Sequence, residues 1–174
     1  MNKAPAAADL RVLMVCTGNI CRSPTAEAVL RAKLERAGLG ARVLVDSAGT
    51  NGYHAGEPPD ARAVRHARER GYDLSALRAR KLERDDLSRF DWVLAMDAGH
   101  LQRLQELTRV QAGARIGLLL EHARRFADER DVPDPYYGTP AGFERVLDLV
   151  EDACDGLVEV LARQLDAGNF RSKA

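Results

Sequence analysis

The sequence predicts an α/β fold: a three-layer, doubly wound domain with a central four-stranded parallel sheet flanked by helices. Short apolar, β-branched runs alternate with longer segments whose apolar residues recur at helical spacing. That order makes a parallel sheet with right-handed crossovers. The 174 residues, 45% of them hydrophobic, contain no linker, repeat or low-complexity stretch, so a single domain spanning 1–174 is expected.

"LRVLMVC" (Leu10 to Cys16) is a buried strand, apolar but for Arg11 and bounded by glycine. A helix follows over Ser23 to Ala37, with Ser23 as N-cap, Pro24 at the first helical position and Gly38 as its end. "RVLVDSAG" (Arg42 to Gly49) is the second strand, leading into the turn-rich loop "TNGYHAGEPP". The next helix runs from Pro59 to about Arg70 and stops at Gly71. "DWVLAM" (Asp91 to Met96) is the third strand, and Asp97 caps a helix over Ala98 to Thr108. "ARIGLLL" gives a weaker fourth strand; after "DVPDPYYGTP", an amphipathic helix spans Ala141 to Leu165. Residues 1–9 and 167–174 read as flexible tails.

Lys plus Arg and Asp plus Glu both number 26, so no overall field draws nucleic acid or an anionic membrane. No apolar run nears the ~20 residues of a membrane span, and the opening lacks the apolar stretch of a secretory signal. Three cysteines cannot build a disulfide framework, and Cys16 and Cys21 do not form a CxxC pair. His66, His100 and His122 lie in charged helical segments and read as surface residues. Neither a metal nor a cofactor is expected, and the setting is read as reducing and cytoplasmic.

The stretch "VCTGNICRSP" (Val15 to Pro24) joins the first strand to the first helix. It lies at the carboxyl end of a strand, where open α/β sheets place their sites. Helix N-termini carry unpaired N–H groups and partial positive charge, and converging loop amides make a nest for a phosphate-like anion. Gly18 permits close backbone approach, Asn19 tolerates a left-handed turn, and Arg22 offers a guanidinium fork for two phosphoryl oxygens. The same field favours the thiolate of Cys16, a nucleophile facing the phosphoryl group, with the Ser23 hydroxyl donating to its sulfur. On spacing alone, Cys16 reads first as a buried strand-end residue. "DPYYG" adds a candidate acid: Pro135 holds Asp134 extended, and Tyr136 and Tyr137 offer a wall for a flat aromatic substrate.

Together, "VCTGNICRSP" and "DPYYG" resemble the two signatures of the low-molecular-weight protein tyrosine phosphatases. The match also takes in "VDSAGT" with the second strand and "MD" after the third. The resemblance implies hydrolysis of phosphotyrosine and aryl phosphate monoesters through a phosphocysteine. Cys16 would be the nucleophile, Arg22 the phosphate clamp and Asp134 the general acid. Thr17, Gly18, Asn19, Ile20, Cys21 and Ser23 would form the phosphate loop, braced by Ser47, with Tyr53 lining the pocket opposite Tyr136 and Tyr137. It implies a phosphotyrosine-containing protein as partner and inhibition by phosphate-like anions, while leaving the oligomeric state open. Cys21 resembles a vicinal cysteine able to pair reversibly with the nucleophile, although it equally reads as packing beneath the loop. Members often read "SxHxAR" where this chain has "SALRAR", so Leu77 stands in place of a loop-bracing histidine. Asp97 reads as an N-cap.

Three other readings are weighed. Arsenate reductases of this fold relay a disulfide through further cysteines, of which only Cys154 remains. Protein-arginine phosphatases resemble the family with threonine at the position of Ile20 and phenylalanine at that of Tyr136. A non-catalytic phosphotyrosine-binding module would be expected to lack the nucleophile or the acid.

Overall fold

Leu10–Cys16 (β1) runs through the middle of a four-stranded parallel sheet. The computed structural model describes residues 8–109 and 113–170. β1 pairs with Val43–Gly49 (β2) on one side and Trp92–Ala95 (β3) on the other; Arg115–Leu118 (β4) completes the order β2-β1-β3-β4. Side chains alternate across a strand. Leu10, Val12, Met14 and Cys16 therefore enter one apolar cluster, with the helices Arg22–Arg36 (α1) and Pro140–Asp166 (α5). Leu13 and Val15 enter the other, with Leu87 of the short helix Asp86–Arg89 (α3) and Leu104 of Ala98–Thr108 (α4). Both faces are covered, which explains why β1 is apolar at every position but Arg11. The chain steps from β1 to opposite neighbours, so a crevice opens at its carboxyl end.

Several boundaries differ from expectation for local reasons. α1 begins at Arg22 with Cys21 in the cap position, making no side-chain cap bond. Ser23 is therefore not the N-cap; it lies in the first turn with its hydroxyl free for other work. Pro24 is the third helical residue, still among the four whose N–H has no intrahelical partner. α1 closes as expected: Gly38 takes φ +73°, and the Leu39 N–H reaches the Leu34 carbonyl at 2.8 Å. Helix Ala61–Glu69 (α2) starts after Pro59 because Asp60 caps it, accepting from the Arg62 N–H at 2.8 Å. The fourth strand ends early, its last apolar residues coiling into a 3₁₀ turn at Leu119–His122.

Residues 1–7 and 171–174, expected as tails, lie outside the described residues. Asp9 and Asn169 are fastened: the Asp9 N–H donates to the Arg42 carbonyl at 2.9 Å, and Gln164 Nε2 donates to the Asn169 carbonyl at 2.7 Å. Among the described residues no helix is long and apolar enough to cross a membrane.

Candidate active site

Cys16 ends β1 with its side chain 3% exposed and its sulfur 2.9 Å from Ser23 Oγ. Which atom donates follows from counting protons. Asn19 Nδ2 gives hydrogen bonds to Ser23 Oγ at 2.8 Å and Ser47 Oγ at 2.9 Å. The orientation of this amide is set by Oδ1, which accepts from the Arg80 backbone N–H at 3.0 Å. The single hydrogen of Ser23 is then directed at the sulfur. Ser47 spends its own hydrogen on Glu27 Oε2, at 2.6 Å. Asn19 reaches both hydroxyls from a left-handed backbone, φ 58°, which asparagine tolerates.

Leu77, in place of the resembled histidine, packs against the core. The bracing is completed by other groups: the Arg80 amide on Asn19, and Arg31, 2.7 Å from Glu27 Oε1. Burial raises the Glu27 pKa above the ordinary carboxylate value, opposed by the Ser47 hydrogen bond and the Arg31 charge.

Arg22 is 4% exposed and held at both terminal guanidinium nitrogens. Nη1 donates to Asp97 Oδ2 at 2.8 Å and the Val132 carbonyl at 3.0 Å. Nη2 donates to Thr17 Oγ1 at 3.4 Å and lies 3.6 Å from Asp134 Oδ2. Asp97 does more than cap α4. It accepts from the His100 N–H at 3.0 Å and also anchors the arginine. Burial opposes its charge, but the His100 N–H and Arg22 outweigh that and hold its carboxyl below the ordinary range. Asp134 lies half-exposed at the mouth. Its Oδ1 accepts from the Tyr136 N–H at 3.1 Å, so the turn that Pro135 imposes also aims the carboxylate.

Cys16, Arg22 and Asp134 line one cavity of about 250 Å³, with Thr17, Gly18, Ile20, Cys21, Tyr136 and Tyr137. The two tyrosine rings meet edge to face, centroids 4.8 Å apart, and the Arg62 guanidinium stands 5.4 Å over Tyr136. Burial, with the Asp60 charge adding, pushes the Cys21 thiol up to about 12. Tyr53 is a correction: it is 86% exposed, and Asn51 and His54 line the cavity instead. The Tyr53 N–H bonds Asn51 Oδ1, and the Ala55 N–H bonds the Gly52 carbonyl. This tight turn carries Tyr53 on its outer corner and His54 against Gly18.

The histidines are a second correction. His100 and His66 are 5% and 8% exposed, and His122 is half-buried. The charged neighbours occupy solvent faces, while His66 stacks on Phe143 with centroids 5.5 Å apart. Among the described residues, His66, Glu69 and Glu144 bring ligand atoms within 4.8 Å of one another. Glu144 is already committed to His66 and Arg70, and none of the three lines the cavity.

Gly49 closes the site from β2. A Cβ there would stand 2.7 Å from the Thr17 carbonyl, 2.9 Å from that of Asn51 and 3.0 Å from Gly18 C, all backbone atoms. Gly49→Ala is expected to displace the loop, at a cost of about 1–3 kcal/mol. Thermal melts should show a lower midpoint, and the affinity for inorganic phosphate should fall with it. An unchanged affinity would mean that the loop does not rest on β2.

Comparison with known proteins identifies the family. The family model "Low molecular weight phosphotyrosine protein phosphatase" matches residues 11–167. A low molecular weight protein-tyrosine-phosphatase of Streptomyces coelicolor is 47% identical over 158 residues, covering 90% of this chain and 96% of that protein. The crystal structure of a protein tyrosine phosphatase from Entamoeba histolytica superposes with a TM-score of 0.83 at 35% identity, over 92% of this chain and 99% of that one. An arginine phosphatase of Drosophila superposes with a TM-score of 0.80 at 27% identity, over 87% and 98%. On the extent of these matches, the chain belongs to the low molecular weight phosphotyrosine protein phosphatase family.

Proposed function

We propose that the protein hydrolyses phosphotyrosine in protein substrates in two steps, with Cys16 as nucleophile, Arg22 as phosphate clamp and Asp134 as general acid. One observation carries this reading: Cys16, Arg22 and Asp134 converge on a single cavity walled by tyrosines. The Cys16 thiolate attacks phosphorus as the phenolic oxygen departs, and Asp134 gives that oxygen its proton. Asp134, now a carboxylate, takes a proton from the water that cleaves the phosphocysteine and releases phosphate. Arg22 Nη2 and the opening N–H groups of α1, left without a side-chain cap, hold the phosphoryl oxygens. Their fixed positions supply electrostatic help without reorganisation.

Thr17, Gly18, Asn19, Ile20 and Ser23 serve as the phosphate loop and Ser47 as its brace. Cys21, protonated and buried, does not compete as a nucleophile. In this reading Cys21, which lines the same cavity, condenses with a sulfenic acid on Cys16, forming a disulfide and releasing water. The surroundings are taken to be cytoplasmic.

Ile20 and Tyr136 favour a flat phenol over a guanidine. Turnover of matched phosphotyrosine and phosphoarginine peptides tests this: preference for phosphotyrosine is expected, with competitive inhibition by phosphate. Faster turnover of phosphoarginine would overturn the substrate assignment.

A further inference from the structure

Beneath the loop lies a closed ring of four side chains, two of which the proposed chemistry leaves unused. Arg22 Nη1 binds Asp97 Oδ2, and Asp97 Oδ1 faces His100 Nδ1 at 3.1 Å. His100 Nε2 stands 2.8 Å from Thr17 Oγ1, which receives Arg22 Nη2 at 3.4 Å. Asp97 caps α4 and His100 lies in its first turn, 75 or more residues from the loop they touch.

The protons in this ring can be placed. Burial is the main influence on His100 and takes it down to about 4. Asp97, Asp134 and Asp131 oppose that shift and Arg22 reinforces it, so near neutrality the ring carries one N–H and one lone pair. A lone pair on Nδ1, pointed at a carboxylate oxygen 3.1 Å away, would be repelled. The hydrogen therefore sits on Nδ1, although it makes no full hydrogen bond there. Nε2 is the acceptor, and the Thr17 hydroxyl donates to it. Both remaining lone pairs of Thr17 then turn towards Arg22 Nη2 and the cavity.

We infer that His100 is a positioning residue of the phosphate site: it orients the Thr17 hydroxyl, which in turn fixes the Nη2 arm of Arg22. The inference rests on the Cys16–Arg22 site proposed above. It gives the chain a link between α4 and the phosphate loop beyond the Arg22–Asp97 ion pair.

The test compares two amides. In His100→Gln the terminal group reaches the place of Nε2, whereas in His100→Asn it stops near that of Nδ1. We expect His100→Asn to raise both KM for p-nitrophenyl phosphate and the inhibition constant of inorganic phosphate about tenfold, the cost of one lost hydrogen bond near a charge. His100→Gln should keep both within about threefold. Thr17→Val should reproduce His100→Asn, and the double variant should be no worse than either alone. If His100→Asn folds poorly, Thr17→Val and the tautomer of the wild-type ring decide the matter. In nitrogen NMR spectra the wild-type ring should show the Nδ1–H form from pH 7 down to pH 5. Equal behaviour of the Asn and Gln variants, additive losses in the double variant, or an Nε2–H ring would overturn the inference. Wild-type turnover by Cys16→Ser would instead sink the site itself; an inactive Cys16→Ser beside a wild-type-like His100→Asn sinks only this assignment.

Discussion

Cys16→Ser is expected to abolish turnover while leaving phosphate binding nearly intact. Serine reproduces the volume at the end of β1, so the Arg22 fork and the α1 amides still meet an anion. A hydroxyl at neutral pH is a far poorer nucleophile than a thiolate, and the Ser23 hydrogen aimed at the sulfur has no comparable anion to stabilise. We expect kcat for p-nitrophenyl phosphate to fall by about four orders of magnitude or more, as when a nucleophile acting in concert with its partners is removed. Calorimetry should find inorganic phosphate bound within about threefold of the wild-type affinity. Retained turnover would refute the nucleophile; loss of binding together with turnover would mean that the sulfur holds the loop in shape.

Asp134→Ala is expected to lower kcat by about 10²- to 10⁴-fold, the usual contribution of a placed general acid. KM should change little, because proton donation develops on the way to the transition state. The size of the loss should depend on the leaving group. A phenol that departs easily as its anion needs little protonation, whereas a tyrosine-like phenol needs it most. A series of aryl phosphates therefore gives a steeper dependence of kcat on leaving-group basicity in the variant. A parallel dependence in wild type and variant would assign Asp134 to holding Arg22 Nη2, 3.6 Å away, instead of to proton transfer.

The parts of the site legible in the sequence share a physical cause: each is fixed by its own neighbours. β1 is apolar because both its faces are covered, the phosphate loop combines strand end, glycine and helix start, and Asp97 has cap chemistry three residues before His100. Asp134 likewise takes its aim from Pro135 and the Tyr136 N–H. The parts missed depend on meetings between distant segments. Nothing local says that the cap of α4 also holds Arg22, or that His100 turns inward to Thr17 while its neighbours stay wet. Tyr53 and His54 are adjacent, and only the turn at Gly52 to Ala55 decides which faces the cavity. Ser23 has the composition of an N-cap, yet the sulfur of Cys16 and the amide of Asn19 claim its hydroxyl first.

The Arg80 amide, on a strap that lines no part of the cavity, acts as the polarity switch of the loop. By pinning Asn19 Oδ1 it decides which way a row of dipoles runs, and hence that their positive end terminates on the sulfur. Were the residue at 19 an aspartate, the same shape would present oxygen to both serines. The Ser23 hydrogen would turn away, and the Cys16 sulfur would face a carboxylate through a single hydroxyl. The polarity that meets the Cys16 sulfur is thus inherited from the direction of one peptide plane.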